Sequence, residues 1–242
     1  MFRHRFGIYL LVLLSATVLA TPTSAAAMLR LLWTYVDGAN NIDGIAGVRR
    51  VLNTPDGKHL YVLGPGPSGT EDKKFAVFSR NATSGELTQV EVFEDGQGLV
   101  DGLEATSDLA LSPDGKHLYV VSSIDEDALV FFTRNSTTGQ LTWGGLLRDN
   151  VGGVDGLDNA TGVVVSPDGN HVYVSALNDK SVSWFSRDAG TGALTFVFEF
   201  SDVGNSELGQ MFGLVVSGDG KHVYAINNGA NKLLVFTRNA TN

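Results

Sequence analysis

The chain has no cysteine. A disulfide framework and a covalently attached c-type haem are therefore excluded, and packing must hold the fold. No helical periodicity of apolar residues is visible along the chain. Positive charge is scarce: 17 Lys and Arg stand against 26 Asp and Glu. That balance disfavours nucleic acid and anionic lipid as partners. No H-E-x-x-H, G-x-S-x-G or P-loop pattern occurs, so the common metalloprotease, serine-hydrolase and nucleotide-binding chemistries have no signature here.

What is present begins with an export signal. Arg3 and Arg5 precede an apolar stretch from Gly7 to Ala20, and Ser24-Ala25-Ala26-Ala27 offers a small-residue cleavage site. Residues 1–27 are expected to be a signal peptide that is removed, leaving no membrane segment. The protein is then secreted, either extracellular or periplasmic. Removing those two arginines leaves 15 basic against 26 acidic residues, a net charge of −11.

The dominant feature is a turn that recurs at a period of roughly 50 residues. Thr54-Pro55-Asp56-Gly57, Ser112-Pro113-Asp114-Gly115, Ser166-Pro167-Asp168-Gly169 and Ser217-Gly218-Asp219-Gly220 are its four copies. Pro presets φ, Asp bonds to its own backbone, and Gly accepts positive φ. An apolar run precedes each turn and a His-x-Tyr strand follows it, at His59, His117, His171 and His222. A third strand ends at Arg80, Arg134, Arg187 or Arg238, and a fourth begins at Leu87, Leu141 or Leu194. Each of these leucines lies eight residues before an acid, Asp95, Asp149 or Asp202. Four short antiparallel strands per repeat form the unit of a β-propeller blade. The expected fold is all-β, with blades around residues 47–95, 107–149, 162–202 and 212–242, the last completed by residues 28–37.

The S-P-D-G-K-H-x-Y-V pattern, the F-[ST]-R-[ND]-x-x-[ST]-G-x-L-T pattern and the V-D-G-L segments Val100–Leu103 and Val154–Leu157 carry a resemblance. The chain resembles the secreted YVTN-type, lactonase-like β-propellers over nearly all of residues 28–242. The resemblance implies about seven blades in a ring, whereas four repeats stand here. It also admits hydrolysis of a sugar lactone, although many proteins with these repeats are binding or structural modules.

The phase of the repeats leaves an unpaired strand at each end. Leu29 stands eight residues before Asp37, as the fourth strands do, while the chain stops at Asn242 inside the turn that leads to a fourth strand. This complementary phase is expected of a complete chain. Residues 28–37 complete the last blade either within one chain or in a neighbouring copy. Four blades lie at the lower limit for a propeller, which favours self-association by strand complementation of 28–37 with 212–242. The expected role is a secreted, non-catalytic binding or assembly module, with a lactonase-like hydrolase as the alternative.

Candidate sites follow from what breaks the repeat. The histidines and arginines recur in every blade, and catalysis needs one asymmetric constellation, so both sets read as structural. Arg49 and Arg50 open the first inner strand, where the other blades carry Asp108, Gly162 and Gly213 opposite Arg50. They are the weak catalytic candidates, since a lactonase needs a cation facing the oxyanion. Asp43, Asp101 and Asp155 recur in the connections between blades, and Glu104 and Asp158 add charge. Glu71, Asp72, Asp125, Glu126, Asp127, Asp179 and Glu207 are expected on the same face. This acidic mouth is a candidate cation site, Ca²⁺ being the fitting ion; no other cofactor is implied. Asn81, Asn135, Asn159 and Asn239 each open an N-x-[ST] glycosylation pattern.

Overall fold

A computed structural model describes residues 29–65, 73–123, 126–201 and 208–240. The expected signal peptide lies outside them, as do Glu71, Asp72, Asp125, Asp202, Ser206 and Glu207. The chain divides into two units, residues 1–34 and 35–242. The described residues of the first, 29–34, form no regular structure and expose Leu29, Leu31, Leu32 and Trp33.

The second unit holds fifteen described strands and no helix. Blade one is β1 (Arg50–Asn53), β2 (His59–Pro65), β3 (Lys73–Arg80) and β4 (Leu87–Glu94). Blade two is β5 (Thr106–Leu111), β6 (His117–Ser122), β7 (Ala128–Arg134) and β8 (Leu141–Arg148). Blade three is β9 (Ala160–Val165), β10 (His171–Ala176), β11 (Ser181–Arg187) and β12 (Leu194–Ser201). Blade four is β13 (Met211–Val216), β14 (His222–Asn227) and β15 (Lys232–Thr237). Every pairing is antiparallel and every sheet runs in chain order. The inner strands β1, β5, β9 and β13 contact one another in sequence, the position in a propeller that lines the channel.

The expected completion of blade four by residues 28–37 is not seen within the single chain, where residue 28 lies outside the described residues. Blade four has three strands, and residues 29–36 belong to no strand. Tyr35 instead packs on blade one, its ring 6.3 Å from that of Phe78, and its hydroxyl accepts from the Leu87 amide at 2.6 Å. The outer edge of β15 carries no strand partner among the described residues.

Each turn is built as its residue types demand. In the second, the Ser112 hydroxyl donates to Asp114 (2.5 Å) and accepts from the His117 amide (3.0 Å), while Gly115 adopts φ +69° and its amide donates to the Ser112 carbonyl. The β-branched and aromatic strands then bury their faces between blades. Phe75, Phe93 and Phe132 interlock across the first joint, and Tyr119, Leu157, Val174 and Phe185 fill the second.

The recurrent Arg closes each joint. Arg134, Arg187 and Arg238 are buried at the end of the third strand and donate through Nη1 to the glycine carbonyl of their own turn, at 2.8–3.0 Å. Nη2 reaches into the preceding blade. It meets the turn carboxylates Asp56, Asp114 and Asp168 at 2.7–3.1 Å, and the histidine Nδ1 atoms of His59, His117 and His171 at 2.6–2.9 Å. In the second and third joints Nε also donates to the hydroxyl of Tyr119 or Tyr173. A guanidinium can only donate, so each of these imidazoles presents an unprotonated Nδ1. Burial and the adjacent cation both push these histidines below their ordinary pKa. Burial raises the Asp114 and Asp168 carboxyls, but the serine hydroxyl, the Arg and a backbone amide outweigh it and hold each at about 2.

Truncating Arg187 strands the Asp114 carboxylate and leaves three further acceptors, the Gly169 carbonyl, the Tyr119 hydroxyl and His117 Nδ1, without this donor. Arg187→Ala is expected to lower stability by about 3 kcal/mol in urea unfolding. Val197→Ala, on the exposed outer strand β12, is expected to stay within about 0.5 kcal/mol.

Candidate functional site

Two regions depart from the repeat, one on the channel wall and one at its acidic mouth. On the wall, Arg50 Nε lies 3.1 Å from Asp108 Oδ1, joining β1 to β5. The other Asp108 oxygen accepts from the Val163 amide of β9 at 3.2 Å. Burial pushes the Asp108 carboxyl up, against the opposing pull of that amide and of Arg50. Gly162 and Gly213 occupy the equivalent positions of the next two inner strands, so the wall there offers backbone only. Arg49 stands beside Arg50, exposed, its amide donating to the Leu63 carbonyl. The two candidate arginines therefore differ: Arg50 is committed to an ion pair and Arg49 faces solvent. Asp108 was not a sequence candidate. Its partnership was readable as the acid standing opposite Arg50 one blade on.

At the mouth, the connection between blades folds identically three times. Asp37, Asp95 and Asp149 each accept, at 2.9 Å, from the amide eight residues ahead, on Ile45, Leu103 and Leu157. Asp43, Asp101 and Asp155 each accept from the amide of the following glycine. Those glycines sit at positive φ against the neighbouring blade; a Cβ on Gly102 would meet Val130 at 3.0 Å. The recurrent aspartates thus shape the connection, and any ion would have to bind the oxygens they have left.

The structure gathers four of the predicted acids, Glu104, Glu126, Asp155 and Asp179, into two trios, each completed by a strand-end aspartate; the trios are not strictly equivalent, since Glu104 matches Asp158 in the repeat and Asp155 matches Asp101. Asp95, Glu104 and Glu126 form one, and Asp149, Asp155 and Asp179 the other, the carboxylate oxygens within each lying inside 4.8 Å of one another. Asp158 flanks the second, its amide donating to Asp179 at 2.7 Å. Asp43 belongs to neither trio and pairs with Lys74 at 3.3 Å. The trios differ in compensation. Arg148, at the end of β8, pairs with Asp101 at 3.0 Å and with Glu126. Its counterpart at the end of β12 is Ser201. Among the described residues no Lys or Arg pairs with the second trio, and Glu199 adds a fourth carboxyl. Burial, then repulsion from Asp155 and Asp179, pushes Glu199 up to about 7. Burial, then Asp149 and Asp158, pushes Asp179 up to about 6.

The glycosylation candidates divide as well. Asn81 and Asn135 are exposed and use Oδ1 to accept two turn amides each, a task Asp188 performs in blade three. Asn159 is half-buried with φ +56°, and Asn239 is exposed. A further cavity of about 410 Å³ opens between blades three and four, lined by Trp184, Phe200, Val223 and Phe236. Its lining is mainly apolar, unsuited to a polyhydroxylated ligand.

Residues 39–208 match the family described as Lactonase, 7-bladed beta-propeller. The chain belongs to that family. No curated protein matches the sequence. Among solved structures it is similar to the periplasmic gluconolactonase of Pseudomonas aeruginosa, with 22% identity and a TM-score of 0.61 over 79% of this chain and 50% of that one. A provisionally designated 6-phosphogluconolactonase from Bacteroides uniformis gives 18% identity and a TM-score of 0.64 over 80% and 51%. Hydrazine synthase of Kuenenia stuttgartiensis gives 18% and 0.52 over 84% and 53%. At these identities the likeness shows the propeller fold, which is shared across unrelated chemistries. The chain spans about half the length of these structures.

Above pH 7 Glu199 is ionised in the folded chain, whereas below about pH 4.5 an unfolded and a folded glutamate are both largely protonated. A raised native pKa means that stability is lost as pH rises between those limits. Glu199→Gln is thus expected to raise the melting temperature at pH 8 and leave it nearly unchanged at pH 4.5, as followed by circular dichroism.

Proposed function

We propose that this propeller is a lactonase-type hydrolase acting on a sugar lactone at the channel wall. The observation that carries the reading is the Arg50–Asp108 pair, set where the repeat is broken and faced by two glycine positions. Ester hydrolysis needs a base to take a proton from water and a cation beside the developing oxyanion. Asp108, raised by burial, supplies the first, and the half-exposed Arg50 guanidinium the second. Membership of the lactonase family supports the substrate class, as does the gluconolactonase of similar fold. That relative is periplasmic, which supports export directed by residues 1–27. Purified protein is expected to accelerate opening of glucono-δ-lactone, measured by acid release at constant pH. Arg50→Ala and Asp108→Asn should each lower kcat/KM by about 100-fold with unchanged β-sheet circular dichroism. Acid release by the wild type no faster than buffer alone would sink the reading.

A second reading, a binding module that takes a divalent cation, rests on the uncompensated trio Asp149, Asp155 and Asp179. Hard oxygen donors without a local cation suit Ca²⁺, and binding relieves their mutual repulsion. Millimolar Ca²⁺ is expected to raise the melting temperature at pH 7.5, through binding to the native state alone, and less so in Asp179→Asn. Equal shifts in the two proteins would place the ion elsewhere.

A further inference from the structure

The joint between blades is used three times in the described chain, and its two halves are left over at opposite ends. Arg80, in blade one, donates from Nη1 to the Gly57 carbonyl at 3.1 Å, as its three counterparts do to theirs. Among the described residues, however, it has no carboxylate partner. In blade four Asp219 accepts from the Ser217 hydroxyl at 2.6 Å and the Lys221 amide at 3.1 Å of its own turn, its nearest described cation being the Lys221 ammonium 3.9 Å away, while His222 and Tyr224 stack on one another half-buried and, among the described residues, bond to no guanidinium. A second element of the joint is split in the same way. Gly139 and Gly192 each lie on the histidine of the preceding blade, so closely that a Cβ would meet its ring at 2.2–2.3 Å. The carbonyls of both glycines accept from the Tyr61 and Tyr119 hydroxyls. The equivalent Gly85 of blade one has nothing within 4 Å of that position.

The outer strand repeats the pattern. In blade one the ring of Phe93, at the end of β4, packs 5.1 Å from Phe132 of the next blade. Tyr35 makes the equivalent contact on Phe78, and Asp37 holds the Ile45 amide as Asp95 holds that of Leu103. Residues 35–37 thus occupy, on blade one, the place of the end of a preceding blade's outer strand. By the same register Leu29 and Leu31 correspond to Leu141 and Trp143. Trp143 packs edge-on against Phe132 at 5.5 Å, and Phe196 against Phe185 at 5.6 Å. At the matching place beside Phe236 the structure has the apolar cavity of about 410 Å³.

We infer that the open face of blade four docks blade one of a second copy of this chain, whose Arg80 enters the Asp219–His222–Tyr224 site and whose residues 29–36 pair with β15. Continuity with three internal joints and the complementary charges of the two faces argue for this occupant. Exposed Val215, Ile226, Leu233 and Val235 give blade four a largely apolar free surface, and pairing removes the bare edge of β15. The contact is head-to-tail, so copies close into a ring or extend as a filament. It stands independently of lactone hydrolysis, because it is read by mass.

Multi-angle light scattering of the purified full chain is expected to give at least twice the single-chain mass at micromolar concentration. Arg80→Glu and Asp219→Arg are each expected to weaken association at least tenfold. The double variant Arg80→Glu with Asp219→Arg should recover it, because the charges are exchanged across the joint. Leu31→Asp should also dissociate the assembly while its β-sheet circular dichroism stays as in wild type. A single-chain mass for the wild type at all concentrations would overturn the inference, whether the ends are unoccupied or meet within one chain. So would single variants that keep the wild-type mass.

Discussion

The structure depends on one guanidinium per joint, placed so that it belongs to two blades at once. Nη1 fixes the turn of its own blade, and Nη2 takes the Asp and His of the blade before. Such a buried ion pair is weak evidence for stability by itself, since desolvation offsets the Coulombic gain. Its effect is geometric. The planar fork can satisfy the glycine carbonyl, the carboxylate and the tyrosine hydroxyl together only at one relation between adjacent sheets. The apolar filling between blades is less directional, so the polar rivet sets the angle and the aromatic layer supplies the adhesion.

This explains which part of the molecule was legible in its sequence. The strands, their order and the blade phase follow from local chemistry: a turn that needs Pro, Asp and Gly, followed by β-branched and aromatic runs. The repeated His and Arg were also recognisable as structural, because they recur. Their partners were not. Arg187 meets Asp114 and His117 some seventy residues away, and only the docking of blade on blade brings them together. The completion of blade four by residues 28–37 was expected within a chain or between chains, and in the single chain the strand is not formed. Register indicates which segments could pair, but it carries no information about whether they meet.

The candidate site shows the same division. The acidic mouth could be anticipated from the spacing of Asp43, Asp101 and Asp155. It was harder to foresee that these residues are consumed by glycine amides. The difference between the two trios was present in the sequence as Arg148 against Ser201. It acquires meaning only once the end of each outer strand is seen to overhang the following connection. Arg50 was singled out by its asymmetry, while Asp108 became visible as its partner only across the β1–β5 contact.

A repeat architecture thus sorts its residues by symmetry before any chemistry is considered. A group present in every blade meets the same surroundings each time, so it can serve the joint but cannot form a single reactive centre. The blades differ at the Arg50–Asp108 pair, at the trio that lacks the counterpart of Arg148, and in the unfilled site of blade four. Blade four is a special case, because no following blade packs on it among the described residues. An unfilled rivet keeps the chemistry of a filled one. Asp219, His222 and Tyr224 are arranged as Asp168, His171 and Tyr173 are, with the cation missing. In the proposed assembly, blade four meets blade one of a second copy through the same contacts that Asp168, His171 and Tyr173 make inside the array.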